Sequence, residues 1–225
     1  MHYFTKSEIF LWSGSVLLIL TAFFIFDGTD WMTLTASLIG ATSLIFASKG
    51  NPVAQILMIV FSLLYGIISH SFAYYGEMIT YLGMTMPMAV ITLISWLKHP
   101  YEGNQSEVKI HHIRKSEMFL IMILTVIITI VFYFILRYFH TANLMPSTIS
   151  VTTSFLAVCL TFFRSPYYAV AYAMNDIILI ILWALASLEN SSYISVLVCF
   201  VVFLVNDIYG FINWKHMEKR QKQSV

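Results

Sequence analysis

Two asparagine–aspartate pairs are the residues of this sequence best suited to binding or chemistry. Asn175-Asp176 and Asn206-Asp207 each lie within a long apolar segment, where a polar side chain is costly unless it contacts protein, water or a ligand. A separation of seven residues places Asp176 and Trp183 on one helical stripe. Carboxyl and amide groups beside a large aromatic plane suit a flat, polar, cationic aromatic ligand, held by stacking and hydrogen bonds.

Two other roles remain open for these four side chains. They could bond across helices and hold a bundle together, or the carboxyl groups could relay protons. In the last apolar segment, Asn206, Gly210 and Asn213 share one helical face, and the glycine opens space beside the two amides. Asn213 is therefore also a candidate binding residue.

The first half of the chain supplies two further candidates, both tyrosines. When Trp96 is superposed on Trp214, at an offset of 118 residues, the same offset sets Tyr65 opposite Trp183. Tyr81 belongs to a group of tyrosines towards the predicted outer face. Aromatic residues at this depth also serve as bilayer anchors, so that role is an alternative for both.

Enzyme chemistry is not indicated. No segment joins a nucleophile to a base, and the sequence contains neither a glycine-rich phosphate loop after a strand nor a His-Glu-x-x-His motif. The seven histidines are scattered and do not predict a metal site, and the two cysteines lie in apolar segments as small fillers. We therefore expect no catalysis, no metal, no cofactor and no nucleic-acid partner.

The composition indicates that lipid surrounds the segments that carry these residues. Hydrophobic residues make up 59% and charged residues 10% of 225 positions, whereas soluble domains have about 25% charged residues. Lipid must therefore cover most of the surface. Since a helix of roughly 17–25 apolar residues crosses a bilayer, the sequence predicts an all-α polytopic membrane protein. Its eight predicted spans are 9–26, 31–48, 53–70, 77–97, 117–138, 147–163, 167–187 and 192–214.

Basic residues predict the orientation of these spans. One arrangement of the eight places eleven of the twelve Lys and Arg residues on the same side, with only Arg137 on the other. Positive charge is retained on the cytoplasmic side during insertion. Both termini are therefore predicted to be cytoplasmic.

An internal repeat divides the spans further. The fourth and eighth spans both end in a tryptophan followed by a basic residue, and short basic turns that end in proline precede the third and seventh. Because one span separates the two three-helix units, both units begin outside, which predicts a 3+1+3 parallel repeat. The expected divisions are an N-terminal end and extra helix (1–30), a first bundle (31–98), a loop and linker helix (99–146) and a second bundle with a tail (147–225).

The motifs of both halves resemble those of the PnuC family of bacterial vitamin transporters. In the second half they are Asn175-Asp176 followed by Trp183, and Asn206-Asp207-x-Tyr209-Gly210-x-x-x-Trp214. In the first half they are Ala47-Ser48-Lys49-Gly50, Tyr75-Gly76-Glu77 and Pro87-Met88 leading to Trp96. Each motif is short, but their order and spacing extend from about residue 30 to 216.

This resemblance implies a SWEET-like fold, a homotrimer in the bacterial inner membrane, and import of nicotinamide riboside by facilitated diffusion. A cytoplasmic kinase would then trap the substrate by phosphorylation, and relatives carry thiamine, riboflavin or nucleosides instead. By motif position, the residues implied to line the substrate path are Asn175, Trp183, Asn206 and Tyr209, with Asp176 and Asp207 nearby.

The sequence departs from the family pattern at three positions. Relatives often carry a tryptophan where Ala171 stands, and amides in the helix where Tyr81 and Ala89 stand. These changes remove a stacking plane and hydrogen-bonding groups, so they bear on the choice of ligand. A thiamine, riboflavin or deoxynucleoside transporter of the same fold is the alternative. From another class, a membrane enzyme or a partner subunit that does not itself transport also remains open.

Overall fold

The computed structural model describes residues 3–71, 75–141 and 143–223. Within this part of the chain, eight helical segments are long and apolar enough to cross a membrane, as the sequence predicts. The helices are α1 (Lys6–Phe26), α2 (Trp31–Ser48), α3 (Val53–Ser71), α4 (Tyr75–Thr80), a π-helix (Tyr81–Thr85), α5 (Met86–Lys98), α6 (Lys115–Tyr138), α7 (Leu144–Phe162), α8 (Tyr168–Ser187), a 3-10 turn (Ser191–Tyr193) and α9 (Ile194–Gln223).

The fourth membrane segment changes its helical type in the middle. It runs from α4 through the π-helix into α5, and Pro87 occupies the first turn of α5. Proline lacks an amide hydrogen and its ring clashes with the carbonyl four residues earlier, so a wider turn before it relieves the strain. π-Helical turns occur frequently at functional sites, and this one presents Tyr81 and Thr85 to a cavity described below.

The last helix is longer than predicted, because polar contacts hold its end. The hydrophilic stretch expected as a loop contains an antiparallel hairpin of β1 (Pro100–Tyr101) and β2 (Asn104–Val108). The Gln221 side chain accepts a hydrogen bond from Ile110 N at 2.9 Å and donates one to Val108 O at 3.1 Å. This pairing continues α9 beyond the expected end at 214.

The two halves of the bundle pack reciprocally. The first helix of each half lies against the last helix of the other, so that α2 packs on α9 and α7 packs on α5. Outside this core, α1 covers α2 and α9, while α6 packs mainly on α7. The central space between the halves is thus bounded by helices of both.

The turns that precede α3 and α8 have the same backbone. Gly50 and Arg164 adopt left-handed conformations, with φ of 65° and 56°. The next amides, of Asn51 and Ser165, each donate to the carbonyl five residues earlier, at 3.1 and 3.0 Å, in the pattern of a Schellman motif. The similarity that the sequence suggests for these two turns is therefore present in their hydrogen bonds. We call the end of the bundle that carries Lys49, Lys98, Arg164 and Lys215 the basic end.

An arginine in the left-handed region costs energy that a glycine does not, and Arg164 has compensating bonds. Its Nε donates to Lys109 O at 3.0 Å and its guanidinium donates to Ser95 Oγ at 2.9 Å. Burial at this position lowers the pKa of Arg164 from its ordinary value. The side chain thereby ties the loop after the hairpin to the turn between α7 and α8.

Candidate substrate-binding site

A small cavity lies at the centre of the bundle, between the two halves. Its volume is about 40 Å³, and we call it the central cavity. Its lining combines aromatic rings with hydroxyl, amide and carboxyl groups. The lining residues are Leu44, Met58, Phe61, Tyr81, Thr85, Ser154, Tyr172, Asn175, Asp176, Phe200, Phe203 and Asp207.

Asn175 is fixed in the central cavity by the helix beside it. Its Oδ1 accepts hydrogen bonds from Ser150 Oγ at 3.1 Å and from Thr153 Oγ1 at 3.0 Å, both on α7. Its amide nitrogen is therefore the donor left to face the cavity. Because two hydroxyls orient the side chain, Asn175 can present that donor to a ligand without first reorganising.

Asp176 and Asp207 form a carboxyl pair between α8 and α9. Both side chains are buried, and their carboxyl groups lie within hydrogen-bonding contact. Ionised carboxylates only accept, so a hydrogen bond between them requires a shared proton. Asp176 Oδ2 meets no hydrogen-bond donor among the described residues. The other carboxyl group of the pair is therefore the polar group in contact with Asp176.

The charged side chains in the described lining of the central cavity are all acidic. Among the described residues that line it, two are acidic and none is Lys, Arg or His. A buried carboxylate without a cationic partner is strongly disfavoured. The cavity therefore suits a ligand that brings its own positive charge.

An aromatic layer separates the central cavity from a second cavity. Tyr65 lies 4.5 Å from Tyr81 and 6.4 Å from Trp183 between ring centroids, and the latter contact is edge-to-face. Tyr65 and Trp183, which occupy equivalent positions of the internal repeat, therefore also contact each other in space. However, Trp183 lines the second cavity, which lies towards the end opposite the basic end, together with Glu77. We call this second space the outer cavity.

Besides Tyr65 and Trp183, three predicted site residues on α9 do not line the central cavity. Asn206 Nδ2 donates to Ser15 Oγ of α1 at 2.9 Å, and Asn213 Nδ2 donates to Ser48 O at 2.7 Å. The Tyr209 side chain is in hydrogen-bonding contact with the first turn of α1. Successive helical residues turn by about 100°, so Asn206 points away when its neighbour Asp207 faces the cavity. The polar face of α9 is covered by α1 and α2.

Tyr172 is a cavity residue that the sequence analysis missed. It lines both the central cavity and a third, smaller space of about 10 Å³ nearer the basic end, which also contains Gln55 and Thr92. A signal was available, because Tyr172 precedes Asp176 by one helical turn and so shares its face. Hydroxyl groups such as that of Ser154 gave no comparable signal, since they are common in membrane helices.

Larger spaces lie elsewhere but lack convergent polar groups between the halves. A groove of about 260 Å³ between α1 and α2 is lined mainly by apolar side chains. A cleft of about 660 Å³ lies at the basic end, beside the hairpin and the end of α9. The central cavity is smaller than either, but residues from both halves enclose it and its lining contains amide, hydroxyl and carboxyl groups. It is therefore the candidate site.

Comparisons with known proteins agree with this architecture. Residues 30–216 match the family model described as nicotinamide mononucleotide transporter. The chain is 27% identical over 214 residues to the nicotinamide riboside transporter PnuC of Neisseria mucosa, covering 93% of this chain and 81% of that protein. It also superposes on the crystal structure of the vitamin B3 transporter PnuC with a TM-score of 0.84, at 25% identity, covering 97% of this chain and 94% of the other.

These relatives are transporters and not enzymes. The family model covers most of the chain, including both halves and the linker helix between them. The chain is a multi-span membrane transporter and belongs to the nicotinamide mononucleotide transporter family, the PnuC family that its motifs resemble.

Proposed function

We propose that this protein imports nicotinamide riboside by facilitated diffusion through the central cavity. The observation that carries the proposal is the Asp176–Asp207 pair, two buried carboxyl groups with no Lys, Arg or His beside them in the described cavity lining. Nicotinamide riboside carries a permanent positive charge on its ring, which would complete this pair electrostatically. The relatives named for vitamin B3 and nicotinamide riboside transport support the same substrate.

The other lining groups match the remaining parts of this substrate. The Asn175 amide donor suits the carboxamide oxygen or a ribose hydroxyl, and Thr85 and Ser154 add hydroxyl partners. Phe61 and Tyr81, with ring centroids 5.8 Å apart, supply aromatic surface beside the ring. Aromatic faces attract cations as well as flat rings. The site thus combines charge, hydrogen bonds and stacking.

Transport requires the two halves to separate, because the central cavity is too small for a riboside. About 40 Å³ accessible to water centres accommodates only a few water molecules. We infer that the halves open alternately towards each side, while the ligand contacts both. The sequence contains no ATP-binding motif, and in the proposed mechanism cytoplasmic phosphorylation of the imported substrate maintains net uptake.

The acidic lining of the central cavity also ranks the alternative substrates. Thiamine is a cation and is therefore the second candidate. Riboflavin and deoxynucleosides are neutral and would leave the acidic pair without a partner. Charge thus favours the two cationic vitamins, and the names of the relatives favour nicotinamide riboside.

The remaining features of the proposal concern assembly and orientation. We propose a SWEET-like homotrimer in the bacterial inner membrane, divided at residues 30, 98 and 146 as the sequence predicts. The exposed apolar faces of α1 and α6, each only 22% buried over its most apolar part, are available to lipid or to neighbouring copies. The basic end would face the cytoplasm, with both termini.

Uptake by proteoliposomes that contain only this protein tests the proposal. We expect labelled nicotinamide riboside to enter above the level of empty vesicles, and unlabelled thiamine to compete more strongly than riboflavin or a deoxynucleoside. Each of the four compounds is then supplied in labelled form, and if none of them enters, the transport proposal is wrong. If only a neutral compound enters, the role assigned to the acidic pair is wrong.

A further inference from the structure

The outer cavity contains a buried carboxyl group that the central cavity does not use. Glu77 is only 9% exposed, and no hydrogen bond or ion pair involves its carboxyl group among the described residues. The cavity around it has a volume of about 30 Å³. Its lining residues are Glu77, Thr141, Asn143, Ser147, Leu182, Trp183 and Ala186.

A close helix approach brings Glu77 to this position. Gly76 lies so near α6 and the segment after it that an added Cβ would come within 2.6 Å of Leu136 Cδ2 and 2.9 Å of Thr141 Cγ2. Glycine therefore permits the short helix α4 to pack there. Thr141 Oγ1 is also buried without a hydrogen-bond partner among the described residues. Two polar groups thus remain unsatisfied at the same cavity.

Burying an ionisable group without a partner costs free energy, and inside a membrane such a group is by default a candidate functional residue. A purely structural role does not explain Glu77, because its carboxyl group holds no other element in place. The basic residue predicted at this end, Arg137, is exposed. None of the described residues that line the outer cavity is Lys, Arg or His, so Glu77 is either protonated or paired with a cation that enters the cavity.

We propose that the outer cavity is an entry subsite, at which Glu77 receives the cationic aromatic ring of an incoming substrate. The proposal rests on the transport function proposed above and extends it to a second location. Trp183 supplies the aromatic surface of this subsite. Asn143 and Thr141 offer polar groups for the hydrophilic part of the ligand.

Aromatic rings lie between the entry subsite and the central cavity. Tyr81 lies one helical turn after Glu77 along the same membrane segment and lines the central cavity. Tyr65 contacts both Tyr81 and Trp183, so it lies between the two spaces. Movement of these rings would pass a cation from Glu77 to the Asp176–Asp207 pair. The path would then favour cations at two successive points.

Glu77→Gln tests the entry subsite, because it removes the charge and preserves the shape. Uptake is measured in proteoliposomes with nicotinamide riboside and with its reduced form, whose dihydropyridine ring is neutral. We expect the KM for the cationic riboside to rise about tenfold, while the KM for the neutral form stays unchanged. Glu189→Gln is the matched control, since Glu189 is an exposed carboxylate at the same end.

The outcomes separate the subsite from the transport function. Wild-type uptake of the cation with an unchanged KM in Glu77→Gln would overturn the subsite and leave the transport function intact. An equal rise in KM for both ligands would show a packing role instead and would also overturn it. If wild-type protein takes up neither compound, the transport function itself has failed. If Glu77→Gln does not fold, Glu77→Asp is used instead, because it moves the carboxylate back by one methylene. In Glu77→Asp the KM for the cationic riboside must rise more than the KM for the neutral form.

Discussion

The indole rings of Trp96 and Trp214 lie against each other at the basic end, with centroids 5.7 Å apart. Both are almost completely buried. Trp96 Nε1 donates to Thr161 O at 2.9 Å, and Trp214 Nε1 donates to Ala47 O at 2.8 Å. The last helix of each half therefore donates an equivalent indole hydrogen bond to the first helix of the other half. This reciprocal contact closes the basic end below the central cavity.

Replacing either tryptophan of this contact by phenylalanine should destabilise the protein. Trp96→Phe or Trp214→Phe removes a buried hydrogen bond and leaves a small void, a loss of about 1–3 kcal/mol. The expected result is a lower melting temperature of the purified protein. Trp12→Phe is the control, because the Trp12 indole bonds Thr42 Oγ1 at 3.2 Å in an exposed position. An equal decrease in all three variants would contradict the special role of the buried pair.

A methyl group at Gly40 should obstruct the central cavity. A Cβ there would lie 2.3 Å from Phe203 Cζ and 3.1 Å from Phe61 Cδ2, and both rings line the cavity. Gly40→Ala is therefore expected to displace the Phe203 ring and reduce the initial uptake rate about tenfold, a change of roughly 1.4 kcal/mol. Gly14→Ala should retain full uptake, since no atom lies within 4 Å of its added Cβ. Wild-type uptake by Gly40→Ala would show that the cavity is not on the transport path.

Neutralising the acidic pair should weaken the binding of cations. Asp176→Asn keeps the size of the side chain but removes one carboxyl group from the pair with Asp207. A ligand that binds only the folded protein raises its melting temperature, so the shift with nicotinamide riboside or thiamine should be much smaller in this variant. Asp30→Asn is a suitable control, because Asp30 caps the N-terminus of α2 and asparagine caps equally well. An unchanged shift in Asp176→Asn would remove the central argument for a cationic substrate.

Hydropathy was sufficient to predict the membrane segments, because their length and composition are set by the bilayer alone. The eighth predicted span ends at 214, whereas helix α9 continues to Gln223, where Gln221 contacts the hairpin and the residues after it. That contact joins residues far apart in the chain. Patterns within one segment cannot reveal it.

The candidate site was predictable where helical spacing determines a face. Asn175 and Asp176 reach the central cavity, and Asp207 meets them from α9. Asn206 does not, because α1 packs on the opposite face of α9 and Ser15 accepts its hydrogen bond. The position of α1 lies outside the internal repeat, so the repeat gave no information about which face it covers.

Asn175 and Asn213 provide the most direct test, because both were predicted from the sequence as binding residues but only Asn175 lines the central cavity. Asn213 instead donates to Ser48 O at the end of α2, as Ser95 donates to Phe162 O at the end of α7. The Ser150 and Thr153 hydroxyls that bond Asn175 lie within α7, so we expect Asn175→Ala to remain folded.

The measurement is the uptake of labelled nicotinamide riboside by proteoliposomes that contain equal amounts of folded Asn175→Ala or Asn213→Ala. We predict that Asn175→Ala lowers uptake to nearly the level of empty vesicles, while Asn213→Ala lowers the melting temperature but retains the wild-type KM. Wild-type uptake by Asn175→Ala, or loss of uptake in folded Asn213→Ala alone, would contradict transport through the central cavity.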